Sequence, residues 1–189
     1  MDKRQVILST ALDLFTRQGF QETTTAQISK VAGVATGTLF NYFDSKEALM
    51  NELYLYSKAS MVKMLMSAFD QELGLEERFR ELWKNALLWG VHNSRKFQFF
   101  QQFSHSPYVS RLTREEGERQ FEFLLELIQQ GIDSGVFKAI DPVVHHTAIL
   151  NLATGFIEGM LQSNETTVKE SFTETTFTIM WDALIARNQ

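Results

Sequence analysis

The stretch Thr24–Lys46, TTAQISKVAGVATGTLFNYFDSK, decides how the chain is read. Thr24 stands three residues before Gln27, the spacing of a capping box, in which each side chain satisfies a free backbone donor of the other. Ile28, Val31 and Ala32 recur at i, i+3 and i+4 and form one apolar face of a short helix. Gly33 follows, a residue that takes positive φ and ends a helix sharply. Val34 plugs the corner, and a second helix is expected from about Thr36 to Phe43, with Leu39 and Phe43 facing inward. Thr36, Gly37, Phe40 and Tyr42 are left on its outer surfaces. Two short helices joined by a glycine-containing turn are the sequence shape of a helix-turn-helix, whose second helix enters the major groove of DNA.

The run AGVATGTLFNYFDSKEAL resembles the DNA-binding signature of the tetracycline-repressor (TetR/AcrR) family of bacterial transcriptional regulators, and ILSTALDLFTRQGFQETTTAQIS resembles that family's first helix and its entry into the second. The likeness covers about residues 5–55 residue by residue; beyond that it rests on length and helical pattern. It implies an all-α fold: a three-helix DNA-binding head over residues 1–46 and a helical ligand-binding and dimerisation domain over 47–189, about nine helices in all. It also implies roles. Thr36, Gly37 and Phe40 would approach base edges, while Thr25, Thr38, Tyr42 and Lys46 would hold phosphates. Gly37 allows close backbone approach, Thr36 donates or accepts, and Phe40 suits a thymine methyl. Two positions depart from the commoner pattern: Ala35 stands where a capping Ser is frequent, and Phe40 where Tyr is frequent.

Length and composition set the frame. The chain has 189 residues, 44% of them hydrophobic and 22% charged, with two prolines and no cysteine. That composition is globular, and the absence of cysteine excludes disulfides and thiolate metal sites. No run of about 18 apolar residues and no charged-then-apolar leader is present, which fits a cytoplasmic protein with no membrane partner. The net charge of −5 runs against a general nucleic-acid binder. Over residues 1–47, however, Lys3, Arg4, Arg17, Lys30 and Lys46 balance Asp2, Asp13, Glu22, Asp44 and Glu47, so the surplus negatives lie elsewhere. DNA contact would then rest on a few cations, hydroxyls and helix N-termini, with a modest salt slope of about 0.9 per phosphate neutralised.

Taken in order, a first helix is expected over about 3–18, with Ile7, Ala11, Leu14 and Phe15 as its core stripe. A long helix follows from Lys46 to about Phe69, a lever between head and body. Helices are expected over Leu75–Asn93, in the aromatic-rich segment up to Pro107, over about Tyr108–Ser134, from Asp141-Pro142 onward, and over about Thr166–Ala186.

In the second half, phenylalanines crowd between Phe97 and Phe103. They either fill a core or help wall an apolar effector pocket formed by Trp83, Leu87, Trp89, Phe100, Phe103, Phe121 and Phe156, with His92 and Asn151 as polar fixtures. No clustering of charge calls for a charged ligand, so the expected effector is a hydrophobic or aromatic small molecule. Ala148, Leu152, Gly155 and Gly159 lie at i, i+4, i+7 and i+11, a narrow face of mostly small side chains. With Phe177 and Trp181 of the last helix they are the candidate homodimer interface, as the resemblance implies.

An enzyme is not expected. The four histidines, His92, His105, His145 and His146, include no i, i+3 or i+4 pair, so helical metal ligation is not expected. There is no phosphate loop and no GxSxG elbow, and no cofactor is implied. The expected activity is that of a ligand-responsive repressor that binds a palindromic operator as a homodimer. The alternatives are a DNA-binding dimer without a small-molecule effector, or an activator.

Overall fold

The structure is a computed structural model and describes residues 2–163, 165 and 167–186. Among these, the chain forms ten α-helices: α1 Lys3–Glu22, α2 Thr25–Val31, α3 Thr36–Tyr42, α4 Lys46–Leu65, α5 Leu75–His92, α6 Ser94–Phe103, α7 Arg111–Arg119, α8 Glu122–Asp133, α9 Pro142–Gln162 and α10 Glu170–Leu184. A short 3₁₀ turn, Met66–Ala68, follows α4. The extended pairing found among the described residues is an isolated bridge between Phe137 and Ile185. The all-α fold with an N-terminal helix-turn-helix is as the sequence implies.

The chain packs into two compact units. One comprises residues up to Ala59 with Arg95–Arg119; the other comprises Ser60–Ser94 with the residues from Gln120 on. The 20-residue α4, about 30 Å long at 1.5 Å per residue, begins in the first unit and ends in the second.

In the first unit, Asp2 caps α1 by accepting from the Arg4 amide at 3.2 Å. The helix turns out of line at Gly19, whose φ of 83° suits a residue without Cβ. Phe20 thereby tucks back against Phe15, ring centroids 5.4 Å apart. Ile7, Ala11, Leu14 and Phe15 are buried, as their spacing requires, and join Ile28, Leu39, Phe43, Leu49 and Leu53 in one core. Phe99 and Phe103 of α6 belong to the same core.

The second unit is built around α5. Phe79, Phe137 and Trp181 meet edge-on or tilted at 5.1–5.8 Å. Two glycines permit close packing. A Cβ on Gly90 would fall 2.5 Å from Ile157, and one on Gly131 would fall 2.3 Å from Phe137. Asp141 caps α9, accepting from the Val143 amide at 2.8 Å, with Pro142 in the first turn.

The single helix expected over Tyr108–Ser134 is two, α7 and α8, which is why ten helices form rather than nine. Gln120 and Phe121 separate them, Phe121 leaving the helical region at φ −108°, ψ 9°. The two halves belong to different units. Gly117 of α7 lies under the Tyr54 ring in the first, and Leu127 and Ile128 of α8 are buried in the second. The apolar face shifts between them, and no Pro or Gly marks the shift. The last helix begins at Glu170; Thr166, its expected start, lies outside the described residues.

Candidate nucleic-acid interface and internal cavity

The helix-turn-helix is fixed from behind. Thr24 caps α2, its hydroxyl accepting from the Gln27 amide at 3.1 Å. Gly33 holds the turn at φ 68°, and the Val34 amide donates to Ser29 O at 3.0 Å. At α3, Ala35 makes no side-chain cap, as expected of a residue without a hydroxyl. Leu39 and Phe43 are buried at 0% and 3% exposure, which turns the opposite surface outward. Thr36, Gly37, Phe40, Asn41 and Tyr42 are exposed and Thr38 is half-buried. A Cβ on Gly37 would meet nothing within 4 Å, so the front of α3 is open. Phe40 and Tyr42, each 44% exposed, are large rings held in solvent. Thr25, at the exposed start of α2, is half-buried, and its carbonyl accepts from the Ser29 hydroxyl.

Lys46 has a role that the sequence reading missed. Its ammonium donates to the Phe20 and Thr23 carbonyls, both at 2.8 Å, and lies 4.2 Å from the centre of the Phe20 ring. It closes the carbonyl end of α1, where helix carbonyls lack partners of their own. Lys3 and Lys30 stand exposed on the same unit, while Arg4 pairs with Glu52 at 2.6 Å. Further along α4, Lys58 is half-buried with its ammonium 5.7 Å from the Tyr54 ring and 5.3 Å from the Phe100 ring. Burial holds its pKa below the usual lysine value, against the pull of the Glu118 carboxylate. Burial raises the Tyr54 phenol and lowers Lys96.

The nine residues expected to line an effector pocket are dispersed. Trp83 and Phe121 reach one apolar cavity of ≈ 70 Å³ within the second unit, open to solvent past Leu150, which is 50% exposed. Leu87 and Trp89 are buried in the body of α5 away from it, with the Trp89 indole donating to the Ser60 hydroxyl at 3.4 Å. His92 and Asn151 are exposed. Phe100 and Phe103 pack in the first unit, Phe100 edge-on to Tyr54 at 5.5 Å and Phe103 beside Phe99 at 5.2 Å. Their helix returns to the head, so they are not walls of the cavity. Phe156 sits between Trp83 and Phe172, and with Gly155 and Gly159 lines a separate hollow of ≈ 390 Å³ between α9 and the start of α10.

What does wall the cavity is one stripe from each of several helices. Phe79, Leu82, Trp83 and Ala86 come from α5 at i, i+3, i+4 and i+7; His146, Ile149, Leu150 and Ala153 come from α9 at the same spacing. Met61 and Leu65 come from the end of α4, Phe123 and Leu124 from α8, and Met180 from α10. Each stripe has ordinary helical spacing, and nothing local says that they face each other. Adjacent His145 and His146 do point to different faces: His145 is buried with its Nε2 2.9 Å from Lys138 O, and His146 borders the cavity.

Of the candidate dimer residues, Gly155 and Gly159 are exposed with open space where a Cβ would stand, and Ala148 and Leu152 are half-buried. Phe177 is different. Only 1% exposed, it stacks on Trp181 at 5.6 Å beneath the Arg80 guanidinium at 4.1 Å, all within one chain, and so presents no surface to a second. The outward face of α10 carries Thr175, Thr178, Ile179 and Asp182 instead. Phe177 is therefore no part of an interface, while Trp181 is half-buried.

An exposed second helix carried on a two-helix turn defines a helix-turn-helix DNA-binding protein. The comparisons give the family. The profile for bacterial regulatory proteins of the tetR family matches residues 7–53, and a tetracyclin repressor-like C-terminal domain matches residues 74–185. The chain belongs to the TetR family of DNA-binding transcriptional regulators. A TetR-family regulator structure from Shewanella sp. PV-4 is similar over 99% of this chain and 100% of its own, with a TM-score of 0.90 and 33% identity. The HTH-type transcriptional regulator YhgD of Bacillus subtilis is 24% identical over 159 residues, 83% of each chain. RutR of Escherichia coli K12 is 51% identical over 47 residues, 25% of this chain and 22% of its own. Among the described residues no helix is long and apolar enough to cross a membrane.

Proposed function

We propose that the protein is a repressor that binds a palindromic operator as a homodimer and is released by a hydrophobic or aromatic effector. The open front of α3 carries the reading: Thr36, Gly37 and Phe40 approach base edges, and Thr25, Thr38 and Tyr42 hold phosphates on either side. With few exposed cations nearby, sequence preference comes from α3 while phosphate affinity stays modest. It acts by binding and not by catalysis, in the cytoplasm where its DNA lies.

The dimer would form through the small-residue face of α9, Ala148, Leu152, Gly155 and Gly159, with the outward face of α10. Two-fold symmetry then sets the recognition helices near 34 Å apart. Functionally the chain divides into a DNA-binding head, residues 1–46, and an effector-binding and dimerising body from 47 on. Because Met61 and Leu65 of α4 line the cavity, an effector favouring one arrangement of its walls biases the end of α4. The helix carries that bias to Lys46, and the spacing of the paired heads shifts. The effect is bounded by the effector's differential affinity, about 1–3 kcal/mol.

The test is selection of bound duplexes from a random pool, repeated with Thr36→Ala and Tyr42→Ala. Thr36→Ala should change base preference at one position of each half-site; Tyr42→Ala should weaken all sequences alike. Selected sites without two-fold symmetry, or sedimentation of a monomer at micromolar concentration, would overturn the dimeric reading.

A further inference from the structure

On the effector reading above, the chemistry of the cavity specifies a class of ligand. Its wall carries no Asp, Glu, Lys or Arg, and His146 is its one titratable residue. The single indole on the wall, Trp83, has its N–H committed to the Thr176 hydroxyl at 3.0 Å. A carboxylate or phosphate entering here would lose its water without gaining a counter-charge. Four aromatic side chains, Phe79, Trp83, Phe121 and Phe123, stand around the space, and rings prefer the edge or offset face of other rings. The enclosed space is small. The volume is ≈ 70 Å³, while an engineered cavity of about 150 Å³ holds benzene. Met61 and Met180, unbranched and easily rearranged, are the wall residues able to yield that difference.

We propose that this cavity takes a compact, uncharged molecule with a single aromatic ring. The full-length chain, labelled at its methionine methyl groups, tests this with toluene, benzoate and octanoate as probes. Toluene should raise the melting temperature and shift the Met61 and Met180 methyl resonances; the two anions at equal concentration should do neither. Ala86→Leu, which fills the space from α5, should weaken toluene binding at least tenfold. If that variant does not fold by circular dichroism, Ala153→Leu fills it from α9. Equal methyl shifts with benzoate or octanoate, or undiminished toluene binding in a folded, filled variant, would overturn the proposal. Affinity for a pool-selected duplex separates it from the reading it rests on. Toluene that binds without changing DNA affinity sinks the effector reading and leaves the ligand class standing. A charged compound that releases DNA while toluene leaves the methyls unmoved does the reverse.

Discussion

On α3, Leu39 and its neighbour Phe43 face inward while five residues face water; around the cavity, five helices each contribute apolar side chains and almost nothing polar. The first surface is specified within one short stretch of chain, by a cap, a positive-φ glycine and an i, i+4 pair. The second exists only once helices distant in sequence have met. The head therefore depends on a few anchors whose loss exposes the whole recognition face to disorder. The body depends on close fit, where many contacts share the load.

The largest expected effect is at the anchor. Leu39→Ala removes a fully buried side chain from a seven-residue helix, which has little stability of its own at that length. A loss of about 2–5 kcal/mol is expected, read as a lower denaturation midpoint with abolished DNA binding. Retained DNA binding at unchanged stability would show that α3 does not hang on this residue. The body offers the matching test. Gly90→Ala puts a methyl within 2.5 Å of Ile157, and overpacking of this kind costs about 1–3 kcal/mol. Since Gly90 packs against Ile157 within the second unit, its variant should bind DNA normally below its melting temperature.

The same contrast explains what the sequence showed. Helix starts at Thr24 and Asp141, the kink of α1 at Gly19, and the open face of α3 are consequences of neighbours within four residues, and all were legible, although α1 runs on past the kink to Glu22. The cavity was not, because Phe79 to Ala86 and His146 to Ala153 are two ordinary amphipathic stripes until the fold opposes them. The assignment of Phe100 and Phe103 failed for the same reason. Their spacing marks them as buried, but burial against the head or against the body looks identical in one dimension. The break near Gln120 left no trace, since the change of packing partner needs no glycine or proline. Phe177 was misplaced by one helical face: Phe177 and Ile179 are both apolar, and only packing shows which is inside.

Lys46 sharpens the comparison, because its role was read as a DNA contact and its geometry ties the head together. Lys46→Met keeps the stem over Phe20 but removes the donors to the Phe20 and Thr23 carbonyls. Hydrogen bonds to charged groups contribute about 1.5–3 kcal/mol, less where partly solvated, so about 1–2 kcal/mol of stability should be lost. The slope of log affinity against log salt should stay unchanged. A slope reduced by about one, with no fall in melting temperature, would return Lys46 to the phosphate contacts.

The smallest effect concerns charge, which the cavity wall avoids and the first unit buries at Lys58. Its folded pKa lies below the usual 10.5 because burial disfavours the ammonium, with Glu118 pulling the other way. The folded state therefore binds fewer protons than the unfolded one between the lowered value and 10.5, and stability from this group rises with pH across that window. Below it the desolvation cost is fully present. Lys96, also lowered by burial, adds a slope of the same sign, and the raised Tyr54 phenol opposes it only above its ordinary value of 10.0. The difference between wild type and Lys58→Met, measured from pH 7 to the ordinary lysine value of 10.5, isolates Lys58. Any advantage of the methionine variant in melting temperature should shrink as pH rises. A difference that is flat across that range would mean that Lys58 keeps its ordinary proton affinity between the Tyr54 and Phe100 rings, and that the first unit, like the cavity, buries no costly charge.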